Sequence, residues 1–204
     1  MIVHASEDDF NLLVQEGMTF FPEASWGQVS RALVDAVNAL SKHAPIHRSF
    51  PLTVQAGVTD YPMIDNIEPW IISSVEWVKY GDVCLPTRSE CGTCQSLSWE
   101  FEDEDYLQIY TPQEDSSDRF VVRAALALSS GACVVPAKYV RRYREALMFS
   151  MKAKMHYMTN MPWTDLRVAG ALDVQADARM IEARTHEATK GKRGLQIQYG
   201  ERVL

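Results

Sequence analysis

The stretch of sequence that decides the fold runs from residue 136 to residue 190 and reads PAKYVRRYREALMFSMKAKMHYMTNMPWTDLRVAGALDVQADARMIEARTHEATK. Its first part carries apolar side chains at intervals of three and four residues, and these are Val140, Tyr143, Leu147, Met151, Met155 and Met158. Polar residues follow the opposite line, and they include Arg141, Glu145, Lys152 and His156. This spacing predicts an amphipathic helix over residues 139–158 that buries one side.

A short corner separates this helix from a second one. Asn160 favours a turn, and Pro162 cannot continue a helical hydrogen-bond ladder. Thr164 is the predicted N-cap of the second helix, with Asp165 placed to interact with its dipole. Small side chains dominate the apolar seam of that helix, which consists of Ala169, Leu172, Ala176, Met180 and Ala183. Because Gly191 marks its end and the connection is short, we expect two adjacent antiparallel helices.

The N-terminal part predicts one further long helix. Ser25 and Gln28 have the spacing of a capping box, in which each side chain satisfies a free N–H group of the other residue. The helix is expected to run to about residue 42, with one apolar side formed by Trp26, Val29, Leu33, Val37 and Leu40. A short helix over residues 8–15 is also predicted.

Between the helical segments the apolar period changes from near four to two, which indicates β-strands. Residues 50–54 and the piece that begins at Tyr61 are expected to form a hairpin-like pair. A long β-prone run over residues 70–80 is closed by Gly81 and Asp82, so that residues 83–85 can return along it. Three more strands are predicted over residues 97–101, 106–110 and 119–128.

The order of elements predicts an α+β fold, in which a helical bundle packs with a small antiparallel β-sandwich or barrel. We expect a single domain over residues 1–204 with two lobes and a tail: residues 24–44 and 136–191 are helical, residues 46–135 form the β lobe, and residues 192–204 are an extended docking tail. In that tail Leu195, Gln196, Ile197, Gln198 and Tyr199 alternate like a strand without a partner in the sequence. This is typical of a segment that pairs with an edge of its own sheet or of another chain.

Composition is that of an ordinary soluble globular protein, with 47% apolar and 23% charged residues in 204. No apolar run approaches the length of a membrane span, and residues 1–9 lack the pattern of a signal peptide, so we expect no membrane partner and synthesis in the cytosol. A formal net charge of -7 argues against a sequence-independent DNA binder, because such proteins neutralise phosphates with Lys and Arg.

Cys91 and Cys94 form the most suggestive chemical motif, since a C-x-x-C pair can hold zinc or exchange a disulfide. Zinc needs two more ligands, and only the isolated Cys84 and Cys133 remain as thiols, for which burial is the default expectation. The motif also falls in a predicted loop rather than at the start of a helix. We therefore expect no cofactor and no metal, with Cys91 and Cys94 as the weaker alternative.

Other candidate groups favour structural roles. The acidic residues at 100 and 102–105 lack the spacing of a calcium loop, and a solvated turn is favoured. The five histidines are scattered, and the sequence contains no nucleophile elbow, P-loop or dinucleotide fingerprint. Met151, Met155, Met158 and Trp163 cluster near the helical corner, where we expect them to serve the core or subunit packing. No enzymatic activity is predicted.

The order of several short motifs resembles that of the head-to-tail adaptor proteins of tailed bacteriophages, the group that includes tail tubular protein A. The motifs are FPEA at residues 21–24, RALVDA at 31–36, LTVQAG at 52–57 before Tyr61-Pro62, the strand at 75–81, YREA at 143–146, MPWTD at 161–165 and ATKG at 188–191. The resemblance spans most of the chain, whereas residues 91–94 and the first twenty residues have no counterpart.

The resemblance implies a virion structural protein made in the host cytoplasm. Such proteins form homo-oligomeric, commonly dodecameric rings that bind the portal protein, complete the neck and offer a surface for the tail tube or nozzle protein. Double-stranded DNA passes through the ring without specific binding. In such a ring the docking tail pairs with the portal or with a neighbouring copy. Two alternatives remain open: a tail-completion or tail-terminator protein, and a zinc-binding or thiol-redox protein that uses Cys91 and Cys94.

Overall fold

The structure, a computed structural model, describes residues 5–62, 68–91, 97–102, 106–110 and 116–189. These residues form an α+β fold, as the sequence predicts. The helices are α1 (Glu7–Phe20), α2 (Trp26–Ser41), α3 (Arg88–Cys91), α4 (Ala137–Tyr157) and α5 (Leu166–Thr189). The strands are β1 (Ala5–Ser6), β2 (Ile46–Val54), β3 (Asp60–Pro62), β4 (Trp70–Tyr80), β5 (Val83–Cys84), β6 (Ser98–Glu102), β7 (Tyr106–Tyr110), β8 (Ser116–Leu128) and β9 (Val135–Pro136).

The strands of the described residues form three antiparallel sheets, and none of them closes into a barrel. The largest sheet has the order β2-β8-β4-β5, the second has the order β3-β7-β6, and β1 pairs with β9. Strand β8 is internal to this sheet because it pairs with β2 on one side and with β4 on the other. Alternate side chains along it, Phe120, Val122, Ala124 and Leu126, are buried. A strand that is paired on both sides and buried on one face has its register fixed.

The predicted pairing of residues 50–54 with the piece at Tyr61 is wrong. Strand β2 pairs with β8, and β3 pairs with β7 in a different sheet. Strand β2 has nine residues, and β3 has only three. The long apolar strand β8 can therefore pair with β2 over a greater length than β3 can. The predicted return after residues 70–80 is confirmed, because β4 returns as β5 through a turn at Gly81, whose φ is 60°. Strand β6 pairs with β7.

Helix α2 begins as predicted. The Oγ atom of Ser25 accepts from the backbone N–H of Gln28 at 3.3 Å, and the Oε1 atom of Gln28 accepts from the backbone N–H of Ser25 at 2.8 Å. The apolar line from Val29 to Leu40 is buried, but Trp26 is 40% exposed, so its predicted place in that line is wrong. Trp26 is the first residue of the helix, before the chain has completed a turn against the core.

Helix α1 is longer than predicted and crosses closely over two other helices. Ser6 caps it by accepting from the backbone N–H of Asp9 at 3.0 Å. At Gly17 an added Cβ atom would lie 2.6 Å from Cγ1 of Val29 and 2.8 Å from Cε of Met151. Gly17 therefore allows α1 to approach both α2 and α4 closely.

Helices α4 and α5 form the predicted antiparallel pair, with two local differences. Asn160 makes the corner with a φ of 61°. The predicted cap at Thr164 is wrong: the side chain of Asp165 accepts from the backbone N–H groups of Arg167 at 2.9 Å and Val168 at 3.1 Å. The Thr164 hydroxyl instead donates to the carbonyl of Met158 and thereby closes the corner. Helix α4 also has a non-helical residue, Tyr143, with a φ of -127°.

One continuous core joins the helices to the sheets. Two polar contacts hold the lobes together. The hydroxyl of Tyr139 on α4 donates to the carbonyl of Ala44 at 2.7 Å, just before β2 begins. The side chain of Asn38 on α2 bonds the backbone of Leu128 at the end of β8. The two lobes therefore fold on a shared core and are not independent units.

Candidate functional site

The thiols do not form a metal centre in the described part of the chain. Cys91 is the last residue of the short helix α3, and Cys94 lies outside the described residues. Cys84 and Cys133 are both exposed, which contradicts the expectation of buried thiols. Among the described residues, no three His, Cys, Asp or Glu side chains come together as metal ligands.

The predicted docking tail lies outside the described residues. Helix α5 ends at Thr189, and Leu195, Gln196, Ile197, Gln198 and Tyr199 follow in the sequence. Their assignment as a docking strand stays a prediction.

The four residues expected near the helical corner pack within the single chain. Met151 and Met155 are fully buried, which places them in the core, one of the two roles that the sequence left open. Met158 and Trp163 are half-buried against that core. The Trp163 ring meets the Phe21 ring edge-on at 6.1 Å between centroids, so Trp163 fixes the corner against the end of α1.

A polar cluster crosses three strands of the large sheet. Glu76 on β4 lies between two cationic or titratable partners: Nδ1 of His47 on β2 is 3.0 Å from Oε1, and Nε of Arg123 on β8 is 2.7 Å from Oε2. Neither N–H is well aligned for a hydrogen bond, so these contacts act through charge and proximity. Burial lowers the pKa of His47, and the nearby Glu76 carboxylate only partly opposes that shift.

A second polar cluster joins the start of α4 to the end of α5. Oε1 of Glu187 lies 2.9 Å from Nζ of Lys138 and accepts a 2.8 Å hydrogen bond from the Tyr143 hydroxyl. Nδ1 of His186 lies 3.1 Å from that hydroxyl. Because the Tyr143 proton points to Glu187, His186 is the donor in this contact. Burial, followed by the bond to Glu187, raises the pKa of Tyr143 to about 12.

The two clusters lie near each other, one in the sheet and one between α4 and α5. Lys138 and Glu187 lie close enough to His47 to affect its pKa, so the clusters form one polar seam between sheet and helices. Glu76 and Glu187 each have a cationic partner, and Glu187 also accepts from the Tyr143 hydroxyl. Each pair therefore stabilises packing within its own lobe.

A shallow cleft of about 310 Å³ lies between β4, α3 and β6. Hydroxyl groups of Ser74, Thr87 and Ser89 line it together with Arg88 and Glu100. The Arg88 guanidinium already lies 3.9 Å from the centroid of the Tyr110 ring, and the Thr87 backbone N–H donates to Glu90 at 2.9 Å. These contacts engage Arg88 and Glu90 beside the cleft.

Helix α5 presents a second apolar side that the sequence analysis missed. Its inner seam packs on α4 through Ala169, Ala176, Met180 and Ala183, which are buried. On roughly the opposite side of the helix lies a set of exposed residues, here called the outer face: Ala171, Val174, Ala178, Ile181 and Thr185. Val174 is 71% exposed and Ile181 is 58% exposed.

The signal for the outer face was present in the sequence. Its members recur at intervals of three and four, as the inner seam does, so each set obscures the other in a search for one apolar stripe. Apolar residues on two opposite sides are typical of a helix that packs against a neighbour on each side. The chain itself covers only one in its described part.

Apolar side chains are exposed on other elements too. Leu12 and Phe20 on α1, Ile71 on β4 and Val83 on β5 are each about half exposed or more. They lie singly, whereas the outer face of α5 is a continuous stripe over four turns of helix.

No protein-family model matches the chain, and no curated protein is similar to it at a significant level. Within the described residues, each helix is too short or too polar to cross a membrane.

Proposed function

We propose that the chain is a structural protein of a tailed-phage virion, a head-to-tail adaptor that forms a ring on the portal and carries the tail. The observation that carries the proposal is the outer face of α5. An exposed apolar side that no described residue covers favours a partner surface, and an assembly protein supplies one.

Ring formation has a specific requirement. A heterologous contact needs two different patches on each subunit, so that the front of one copy meets the back of the next. The outer face of α5 supplies one patch. In this proposal the second patch lies on the β lobe, which is built from elements other than α5.

Two further features support the same role. The order of motifs from FPEA at residues 21–24 to ATKG at 188–191 resembles that of phage adaptors. A net charge of -7 suits a channel wall past which double-stranded DNA slides, because no excess of Lys and Arg holds its phosphates. In this proposal Leu195–Tyr199 dock on the portal or on a neighbouring copy, and the ring receives the tail tube or nozzle protein on the side away from the portal.

Co-sedimentation with purified portal rings and with tail tubes tests the proposal. Wild-type chain is expected to sediment with the portal, and Ile181→Asp is expected to bind without completing a ring. The matched control is Leu12→Asp, which places the same charge on an exposed apolar position of α1. Binding to tail tubes alone would support a tail-completion protein instead, and binding to neither would refute the proposal.

A further inference from the structure

We propose that the free chain forms a two-fold, antiparallel dimer in which the outer face of α5 packs against the same face of a second copy. The contact is inferred from α5 alone. The role of the dimer, as the form in which the chain is held before it assembles on the portal, rests on the proposed function.

The outer face has the spacing of a coiled-coil seam. Ala171, Val174, Ala178, Ile181 and Thr185 alternate steps of three and four residues. In an antiparallel pair centred near residue 180, Ala178 faces Ile181 of the second copy, and Val174 faces Thr185. Small and large side chains therefore alternate across the seam, which is the arrangement that interdigitates.

Thr185 fits this seam although it is polar. Its hydroxyl donates to the carbonyl of Ile181 in the same helix at 3.0 Å. The hydroxyl is therefore satisfied within α5, and the methyl group is the part that can pack across the seam.

The charged residues beside the seam favour a second copy of the chain as the partner, and they favour antiparallel packing of the two helices. Asp177 and Arg184 flank one side of the outer face, and Gln175 and Glu182 flank the other. Antiparallel packing brings Asp177 next to Arg184 of the second copy, twice by symmetry, and brings Gln175 next to Glu182. Parallel packing brings Asp177 next to Glu182, which repels it.

The flanking pair is available for this contact. All four flanking residues are exposed, and neither Asp177 nor Arg184 has an ion-pair partner in the described part of the chain. The pattern is thus complementary to itself, the property that an isologous contact requires.

A two-fold contact closes on itself and cannot propagate into a ring. Two copies paired through α5 therefore hide the face that ring formation uses. The contact keeps the free chain from assembling until a portal surface offers the neighbour contact in its place.

Sedimentation equilibrium of the purified chain, without any virion component, tests the dimer. From about 1 µM to about 1 mM the mass is expected to rise from that of one chain towards twice that value. We expect Ile181→Asp to weaken the dimer by roughly a hundredfold, because it places two like charges in the seam. Leu12→Asp is expected to leave it unchanged.

Exchanging the charges of Asp177 and Arg184 tests whether the two helices pack antiparallel. Asp177→Arg or Arg184→Asp alone is expected to weaken the dimer by about tenfold. The double variant is expected to restore it, and a mixture of the two single variants is expected to give a heterodimer. Circular dichroism checks that each variant keeps its helices.

Two results would overturn the inference. A wild-type chain that keeps the mass of one chain at the highest concentration excludes the dimer. A stronger dimer for Asp177→Arg alone indicates parallel packing against Glu182. Either result leaves the portal-binding experiment unaffected, so the dimer and the adaptor function fail separately.

Discussion

The side chain of Asn38 pairs with the backbone of Leu128 through both ends of its amide. Its Oδ1 atom accepts from the Leu128 N–H at 2.8 Å, and its Nδ2 atom donates to the Leu128 carbonyl at 3.0 Å. Asn38 lies on α2 and Leu128 ends the central strand β8, so one residue of the helical lobe replaces a neighbouring strand at the end of the sheet. This pair connects the lobes and orients them.

Replacing Asn38 with alanine is expected to lower the free energy of unfolding by about 2 kcal/mol, because two backbone groups lose their partner. Urea denaturation followed by circular dichroism measures this. The matched control is Asn11→Ala on the exposed side of α1, which is expected to change the free energy by less than about 0.5 kcal/mol. Equal effects of the two variants would show that the pair with Leu128 is not what stabilises the lobe contact.

Two glycine-to-alanine variants are expected to have opposite signs. Gly170→Ala on α5 meets no atom within 4 Å, so it is expected to stabilise the chain by about 0.5–1 kcal/mol through helix propensity. Gly17→Ala brings a Cβ atom to 2.6 Å from the stiff side chain of Val29, and it is expected to destabilise by about 1–3 kcal/mol. Thermal unfolding of both variants checks the contrast, and stabilisation by Gly17→Ala would show that α1 does not approach α2 so closely.

The stability of the chain is expected to depend on the protonation of His47. Its pKa in the folded chain lies below 6.5, mainly because of burial, so the unfolded chain takes up the proton first as the pH falls. Glu76 and Glu187 favour the charged ring, and Arg123 and Lys138 oppose it.

The contribution of His47 to the free energy of unfolding is therefore expected to be complete above about pH 6.5. It is lost as the pH falls below that value. His47→Gln removes this contribution, so its loss of stability between about pH 7.5 and about pH 5.5 is expected to be smaller than that of the wild type. Urea titrations at both pH values give the comparison. An equal loss in the two proteins would indicate that His47 takes up its proton as easily in the folded chain as in the unfolded one.

An aspartate is expected to lower the stability of the chain much more in the core of the α4–α5 pair than on its outer face. Leu147 is fully buried on α4, and Leu147→Asp is expected to cost about 4 kcal/mol or more, because a charge without a partner enters the core. Val174→Asp on the outer face is expected to cost less than about 1 kcal/mol in dilute solution. The urea midpoints of the two variants measure the difference. Unfolding by Val174→Asp would mean that the outer face is part of the folded core.

Local signals in the sequence predicted the elements better than their partners. The capping box at Ser25 and the turns at Gly81 and Asn160 depend on a few neighbouring residues, and all three are found in the structure. The partner of β2 is β8, some 70 residues away in sequence, whereas the predicted partner was the nearest strand. The cap of α5 is Asp165 rather than Thr164, because the Thr164 hydroxyl is used to close the corner.

The candidate site was the least predictable part of the molecule. The polar seam brings together His47, Glu76, Arg123, Lys138 and Glu187, which no sequence spacing connects. The outer face of α5 was hidden by a buried seam of the same period on the other side of the helix. Only knowledge of which side packs on α4 shows that a second apolar side remains.

Electron microscopy of the purified chain mixed with portal rings tests most directly whether this protein works by assembly. The account predicts class averages in which a second ring, built of copies of this chain, is stacked on the portal along the same axis. Portal rings that stay bare, with the chain unassociated at saturating concentration, would contradict it.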